Sequence, residues 1–167
     1  MGYLVSTKGR YTLRVMLELA KNPDIQVPLK DIAGNQGISL KYMETIMPAL
    51  KEAGFVVGTH GKGGGYKLAR PADSYSVGEI LRVTEGSISP VACLDDGNRC
   101  ERADSCPTLV IWKKLDSLIS GYLDTVKLVD LMNGCEDVPV LFNHGHVNNR
   151  VSRRMTAGSR YGSTQRL

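Results

Sequence analysis

The order of its first predicted elements constrains the fold of this chain more than any other feature. Apolar residues recur at helical spacing over residues 7–22, again from Pro28 onward, and a third time from about Leu40 to Ala53. Gly37 is a natural end for the second of these segments, and Ser39 is a good N-cap for the third. The sequence therefore predicts three helices joined by short turns.

A glycine-rich hairpin is predicted directly after these helices. Phe55-Val56-Val57 and Tyr66-Lys67-Leu68-Ala69 are typical of short strands, and residues 59–65 between them are rich in glycine. Three helices followed by a two-stranded hairpin is the element order of the winged helix-turn-helix. We therefore predict a mainly α fold with a small β-hairpin, in which residues 1–70 form a winged helix-turn-helix DNA-binding domain.

Charge is distributed unevenly along the 167 residues, a length typical of one domain or slightly more. The net charge is +5 in residues 1–70, −4 in residues 71–134 and +3 in residues 135–167. A basic N-terminal half favours a polyanionic partner such as double-stranded DNA, although many solvated protein surfaces carry as much charge.

Several classes of protein are not expected. The chain lacks both an apolar run long enough to span a membrane and the apolar core of a signal peptide, so we expect a cytoplasmic protein without a membrane partner. No Ser-His-Asp set, phosphate-binding P-loop or pair of catalytic carboxylates can be recognised, which argues against an enzyme and against a small-molecule substrate.

The predicted DNA contacts come from three places. The first turn of the third helix can reach base edges in the major groove. Glycines allow the hairpin tip to approach a nucleic-acid backbone, and the N-terminus of the first helix can bind a phosphate. A solvated helix face and a plain flexible loop are the alternatives for the first two. The candidate residues are Thr7, Lys8, Arg10, Ser39, Lys41, Tyr42, Glu44, His60, Gly61, Lys62, Gly63 and Gly64.

The second half of the chain is predicted to carry a loop and a long helix. Ser76-Val77-Gly78-Glu79 has the form of a capping box, which predicts a fourth helix ending near Glu85. Pro107 is expected to open a long helix to about Tyr122 or Leu123, and Thr125 to cap a short helix ending at Gly134. We expect a linking helix and cysteine-bearing loop in residues 71–106, a dimerisation helix and short final helix in residues 107–134, and a disordered tail in residues 135–167.

The long helix is rather apolar for the end of a small domain, which favours packing against another chain. Its apolar stripe includes Leu115, Leu118 and Ile119. A winged helix that reads a palindrome needs a two-fold partner, so we predict a homodimer.

Three cysteines in the predicted loop suggest a second function. Cys93, Cys100 and Cys106 are spaced too widely for the Cys-x-x-Cys pairs of a zinc ribbon. A loop with this spacing suits a larger centre, and soft thiolates bind iron–sulfur clusters well. Zinc, a redox-active thiol pair and unrelated buried cysteines are the alternatives. Cys135, at the start of the tail, is not expected to be a ligand of this centre.

Distinctive motifs occur in the helices, the hairpin and the cysteine loop. They are Ser6-Thr7-Lys8-Gly9-Arg10-Tyr11, Ile38-Ser39-Leu40-Lys41-Tyr42-Met43-Glu44, Gly61-Lys62-Gly63-Gly64-Gly65-Tyr66, Ser76-Val77-Gly78-Glu79-Ile80 and Cys106-Pro107-Thr108. Together they resemble the winged-helix iron–sulfur and redox regulators, a family that includes IscR, NsrR and CymR. The resemblance covers about residues 3–134 and is greatest to the IscR-like members.

The resemblance implies a homodimer formed through the long helix and a [2Fe–2S] cluster on Cys93, Cys100 and Cys106. It further implies binding of operator DNA that is tuned by cluster occupancy. Such a transcription regulator acts as a repressor, senses iron–sulfur cluster status and controls genes of iron–sulfur cluster biogenesis. A labile cluster of this kind can be lost from protein prepared in air.

Two positions depart from the family pattern and leave the fourth cluster ligand open. Leu109 stands where IscR proteins often have a histidine ligand, and Arg10 stands where NsrR proteins have an aspartate. Sensing of nitric oxide or of thiol oxidation is therefore an alternative within the family. A zinc-containing winged-helix protein-interaction module is an alternative of another class. His60 also replaces an arginine that is common in the wing. Candidate fourth ligands are Glu101, Asp104, Asp95, Asp96, Glu44, a backbone group or water.

Overall fold

The computed structural model describes residues 5–59, 61, 63–95 and 100–134. Within these residues the chain forms six α-helices, one two-stranded antiparallel sheet and three short 3₁₀ turns. The elements are α1 (Thr7–Ala20), α2 (Leu29–Gln36), α3 (Leu40–Glu52), β1 (Val56–Thr59), β2 (Gly65–Leu68), α4 (Val77–Glu85), α5 (Leu109–Thr125) and α6 (Leu128–Met132), with turns at Ala72–Ser74, Ala92–Leu94 and Ala103–Ser105. The predicted mainly α fold with a small β-hairpin is confirmed.

The main hydrophobic core lies between the first helices, the hairpin and the later helices that close over them. Met16 and Leu19 of α1 and Met43 and Ile46 of α3 are almost completely buried. Burying an apolar side chain of this size stabilises the fold by about 1.5–3 kcal/mol. Leu128 of α6 lies in the same core, so the last helix packs against the N-terminal elements.

The hairpin is joined to the helical body through one further pair of residues. In the sheet Val56 faces Leu68 and Thr59 faces Gly65. Val27, before α2, pairs with Tyr66: each backbone N–H donates to the other's carbonyl at 2.8 Å. A Cβ atom at Gly65 would lie 2.5 Å from the backbone carbonyl of Val27, so this contact requires glycine.

Tyr75 holds both ends of the hairpin. Its side chain is fully buried. Its hydroxyl donates to the carbonyl of Phe55 at 2.9 Å and accepts from the backbone N–H of Arg70 at 2.8 Å. The Arg70 guanidinium stacks over the Tyr75 ring, 4.4 Å from its centroid. One buried side chain therefore fixes where the hairpin begins and ends.

The helix boundaries confirm some predictions and correct others. Ser76 and Glu79 form the predicted capping box at the start of α4. The prediction that Thr125 caps the last helix is wrong. Thr125 ends α5, and the next two residues are extended because Val126 accepts from Val77 and Lys127 bridges to Ser76.

Smaller differences have local causes. Pro28 is the N-cap of α2 rather than a residue of its first turn, because its extended backbone precedes the helix. The long helix begins at Leu109, not Pro107, and the predicted cysteine-bearing loop after α4 contains two of the short turns. Residues 135–167, predicted as a disordered tail, lie outside the described residues. No helix among the described residues is long and apolar enough to cross a membrane.

Candidate DNA-binding surface and cysteine loop

The turn between α2 and α3 is tight and well supported. Gly37 takes a left-handed conformation with φ of +62°, which favours glycine and ends α2. Ile38 follows with a buried side chain, and its backbone N–H donates to the carbonyl of Ala33 at 3.0 Å. Ser39 then caps α3, because its hydroxyl accepts from the Tyr42 N–H at 3.2 Å. These residues form the turn of a helix-turn-helix.

The outer face of α3 presents polar groups to solvent. Lys41, Glu44 and Thr45 are exposed, whereas Met43 and Ile46 point into the core. Tyr42 is half-buried and packs edge-on against Tyr11 of α1, with ring centroids 5.6 Å apart. The exposed side chains can therefore approach a groove while Tyr42 supports the helix from one side.

A polar network that sequence reasoning missed holds α2 against α1. Arg14 donates through Nε to the side-chain oxygen of Gln36 at 3.0 Å, and through Nη2 to its backbone carbonyl. The Gln36 amide nitrogen donates to Glu18 at 2.8 Å, and Asn35 donates to the other Glu18 oxygen at 2.7 Å. Charge-assisted bonds of this kind fix side-chain geometry, so they hold α2 against α1. No spacing in the sequence signals such a contact between two helices.

The N-terminus of α1 brings the predicted phosphate-binding residues together. Thr7 and Arg10 are exposed and Lys8 is half-buried. Arg10 donates through Nη2 to the Thr7 hydroxyl at 3.1 Å. Ser6 is the N-cap, since its hydroxyl accepts from the Gly9 N–H at 3.2 Å. Free backbone N–H groups and basic side chains at a helix N-terminus form a suitable site for a phosphate.

The hairpin tip is described only in part. Gly61 and Gly63 have φ of +100° and +80°, which favours glycine at both positions. The Gly64 N–H donates to the Gly61 carbonyl at 3.0 Å and closes the tip. His60 and Lys62 lie outside the described residues.

The cysteines lie on both sides of a gap in the described chain. Cys93 is half-buried in a short turn, Cys100 is exposed, and Cys106 is half-buried just before α5. Among the residues with a described placement, no three metal-ligating side chains come together. The thiols thus have the donor chemistry of an iron–sulfur ligand set, but their described arrangement does not gather them around one point.

Hydrogen bonds lower the pKa of the Cys106 thiol below its ordinary value. The first is with the Thr108 hydroxyl, 3.3 Å from the sulfur, and the Thr108 and Leu109 backbone N–H groups add to it. A lower pKa increases the thiolate fraction, which is the form that binds metals and reacts with oxidants.

The candidate fourth ligands are scattered. Glu101 and Glu44 are exposed on different elements. Asp95 accepts a hydrogen bond from Ser87. Asp104 lies in the short turn before Cys106, and Asp96 lies outside the described residues.

The helix α5 is tied to α4 at one end and exposed along much of its length. Arg82 of α4 and Asp124 of α5 form a two-pronged ion pair with N···O distances of 2.7 and 3.0 Å. This bond with Asp124 raises the pKa of Arg82. At the other end of α5, Val110 and Ile111 expose 75% and 62% of their surface. Exposure of large apolar residues in one helix is typical of an interface.

These features define a class: a winged helix-turn-helix protein that binds DNA and carries a cysteine loop before a long helix. Residues 5–134 match the Rrf2 family, whose description is iron-dependent transcriptional regulator. The chain belongs to the Rrf2 family. It is a DNA-binding transcription regulator and not an enzyme, as its named relatives are transcriptional regulators.

Individual relatives agree with this assignment. The HTH-type transcriptional regulator IscR of Klebsiella pneumoniae (strain 342) is 36% identical over 155 residues, which cover 92% of this chain and 94% of the relative. The structure of CymR (YrzC), the global cysteine regulator of B. subtilis, is 37% identical with a TM-score of 0.66, covering 80% of this chain and 98% of that one. T. potens IscR is 35% identical with a TM-score of 0.64, covering 84% and 93%. The predicted family is thus confirmed.

Proposed function

We propose that this regulator is a cytoplasmic homodimeric repressor that binds operator DNA and senses iron–sulfur status through a [2Fe–2S] cluster. It would control genes of iron–sulfur cluster biogenesis. The observation that carries the DNA-binding part is the helix-turn-helix, in which the Ser39-capped α3 exposes Lys41 and Glu44. In this proposal residues 1–70 bind DNA, 71–106 link and hold the cluster, and 107–134 dimerise.

The proposed DNA contacts come from three elements. The first turn of α3 enters the major groove, where Lys41 contacts a phosphate or guanine and Glu44 accepts from cytosine. Ser39 and Tyr42 lie in the same first turn. Thr7, Lys8 and Arg10 bind a phosphate at the start of α1, and residues 60–64 of the wing follow the DNA backbone.

Dimerisation is supported by the exposed apolar side of α5. Val110, Ile111, Leu115 and Tyr122 are all large and exposed. A second copy of the same helix would cover them and would place two recognition helices on a palindromic operator.

The cluster is supported by donor chemistry and by the family resemblance. Cys93, Cys100 and Cys106 would be its thiolate ligands, and Cys106 already has a lowered pKa. When bound, the cluster supplies a redox- and iron-responsive centre. Because no three metal-ligating side chains come together among the described residues, cluster binding would have to bring the three thiols closer to one another.

The experiment has two stages. Protein purified without air is examined by visible absorption and by iron and acid-labile sulfide assays, with near-equal iron and sulfide expected. Duplexes selected from a random pool then define the operator, and its affinity is measured over a salt series with and without the cluster. Colourless protein that also resists anaerobic reconstitution would contradict the cluster.

A matched pair of variants tests the recognition helix. Lys41 lies in the first turn of α3, and Lys51 lies in its last turn, both exposed. Lys41→Ala should weaken operator binding by about 1–3 kcal/mol if it pairs with guanine, whereas Lys51→Ala should leave it nearly unchanged. Absence of any salt-dependent operator binding would favour a zinc-containing protein-interaction module instead.

Thiol oxidation is a second candidate signal, favoured by the lowered pKa of Cys106. Spectra recorded during exposure to nitric oxide or peroxide separate the signals. If the cluster is the sensor of nitric oxide or peroxide, loss of its absorption precedes loss of DNA binding. Loss of DNA binding in cluster-free protein on oxidation indicates thiol sensing.

A further inference from the structure

One large apolar side chain of α3 is exposed to solvent. Leu40, the first residue of the helix, exposes 44% of its surface. It fits the apolar spacing of α3, but it belongs to neither of the two hydrophobic cores that the described residues form. The other large aliphatic residues of the helix are at most 2% exposed: Met43, Ile46, Met47 and Leu50. The packing of the protein thus leaves Leu40 uncovered.

The backbone on both sides of Leu40 is firmly held. Ile38 is buried, and the Ser39 hydroxyl accepts from the Tyr42 N–H at 3.2 Å. The Ser39 carbonyl accepts from the Met43 N–H at 3.1 Å, which begins the hydrogen bonding of the helix. A side chain on a rigid helical turn is presented to a ligand more precisely than one on a loop. Leu40 can therefore make a contact without first ordering its backbone.

Leu40 lies on the same side of α3 as Glu44. Residues four positions apart in a helix have Cβ atoms about 5–6 Å from each other, and both of these side chains are exposed. Lys41, between them in sequence, is exposed as well. The first turn of α3 thus presents one apolar group beside an anion and a cation. In the major groove, the apolar group that base pairs present is the C5-methyl of thymine.

We propose that Leu40 is a specificity-determining residue that contacts the C5-methyl group of a thymine in the operator. This inference rests on the proposed function, in which the first turn of α3 enters the major groove. Leucine neither donates nor accepts hydrogen bonds, so a polar base edge against it would lose water without gaining a partner. A methyl group against it removes apolar surface of both molecules from water.

The spacing of the two side chains places this thymine relative to the base that Glu44 would contact. Four residues of helix span about 6 Å, and successive bases of one strand are about 3.4 Å apart along the duplex axis. The thymine is therefore expected within about two base pairs of the cytosine that donates to Glu44. Leu40 and Glu44 together would read a short pyrimidine-containing step.

Replacing thymine with uracil tests this contact, because uracil lacks only the C5-methyl group and pairs in the same way. The full chain is titrated with the operator selected from a random pool and with duplexes in which each thymine is replaced singly. The wild type should bind about fourfold more weakly when one particular thymine is replaced, which corresponds to burial of one methyl-sized group. Replacement of thymines that lie farther from the cytosine should have no such effect.

A variant of Leu40 connects this effect to the side chain. Leu40→Ala should bind the unmodified operator at least about fourfold more weakly, and it should not distinguish thymine from uracil at the sensitive position. Its salt slope should equal that of the wild type, because no phosphate contact is lost. Met132→Ala is the matched control: Met132 exposes 38% of its surface on α6, outside the proposed DNA contacts. This variant should bind both operators as the wild type does.

The contrary results are distinct. The inference is overturned if the wild type binds every uracil-containing duplex as tightly as the unmodified operator. It is also overturned if Leu40→Ala still prefers thymine at the sensitive position or lowers the salt slope, or if Met132→Ala loses as much affinity. In each of these cases the operator is still bound, so the proposed function stands. If the wild type binds no operator at any salt concentration, the proposed function fails, and the inference fails with it.

Discussion

Replacing Tyr75 with phenylalanine tests how the wing is held. The substitution removes one hydroxyl from a fully buried side chain and leaves the ring in place against Phe55, 5.3 Å between centroids. Two hydrogen bonds disappear: the one donated to the Phe55 carbonyl and the one accepted from the Arg70 N–H. These bonds join the residue before β1 to a residue after β2.

The loss in the free energy of unfolding depends on what replaces each hydrogen bond. The Phe55 carbonyl still accepts from the Ala69 N–H at 3.0 Å, so it is not left without a partner. Arg70 is exposed, so water can reach its N–H. We therefore expect a loss of about 1–2 kcal/mol in the free energy of unfolding, in the lower part of the range for a broken buried hydrogen bond.

Equilibrium unfolding in urea measures this loss. With a slope of about 2 kcal/mol per molar urea, the midpoint of Tyr75→Phe should fall by about 0.5–1 M. Tyr66→Phe is the control, because the Tyr66 side chain lies over Gly58 and its hydroxyl has no hydrogen bond among the described residues. Its midpoint should hardly move.

Two results would refute the reasoning. A Tyr75→Phe midpoint equal to that of the wild type would mean that the hydroxyl contributes nothing. Equal losses in the two variants would mean that the effect does not come from the Phe55 and Arg70 bonds.

Three further predictions concern the packing of glycines, the exposed apolar side of α5 and the ion pair between α4 and α5. Gly65→Ala should destabilise the protein by about 2 kcal/mol or more, because its Cβ would meet the Val27 backbone. Gly34→Ala, with nothing within 4 Å of the added Cβ, should stabilise the protein by about 0.5–1 kcal/mol when both glycine variants are unfolded in urea, and the reverse order of stability would contradict the packing. Ile111→Glu should weaken self-association in sedimentation experiments at least about tenfold, whereas Lys113→Glu, on the opposite side of α5, should not. Arg82→Met should cost less than about 1 kcal/mol, because its ion pair with Asp124 is exposed, and high salt should reduce the difference. Because a raised Arg82 pKa keeps the guanidinium charged, that contribution is lost only as pH rises through the folded-state pKa, so it should stay constant from about pH 7 to about pH 10.

The sequence predicts the elements whose signals are local. Ser39 and Gly37 mark the turn of the helix-turn-helix, and Ser76 with Glu79 marks the start of α4, because capping acts over three or four residues. The glycines of the hairpin likewise mark its tip. Each of these features depends only on residues within a short stretch of the chain.

Contacts between distant segments could not be predicted in this way. The bonds from Glu85 to Ser6, from Arg82 to Asp124 and from Arg14 to Gln36 join residues whose separation carries no periodic pattern. The start of α6 differs from the prediction for the same reason. Thr125 has a side chain suited to capping a helix, but Lys127 forms a β-bridge with Ser76. Because of this bridge, α6 begins only at Leu128.

The pairing of Val27 with Tyr66 has a consequence for solubility. A two-stranded sheet presents open edges that can recruit strands from other molecules, and these edges are a common origin of aggregation. Here the outer edge of β2 is covered by the segment that leads into α2, with hydrogen bonds in both directions. The opposite edge belongs to β1, which is only four residues long and contains Gly58. The hairpin thus offers little unpaired backbone through which copies of the protein could aggregate.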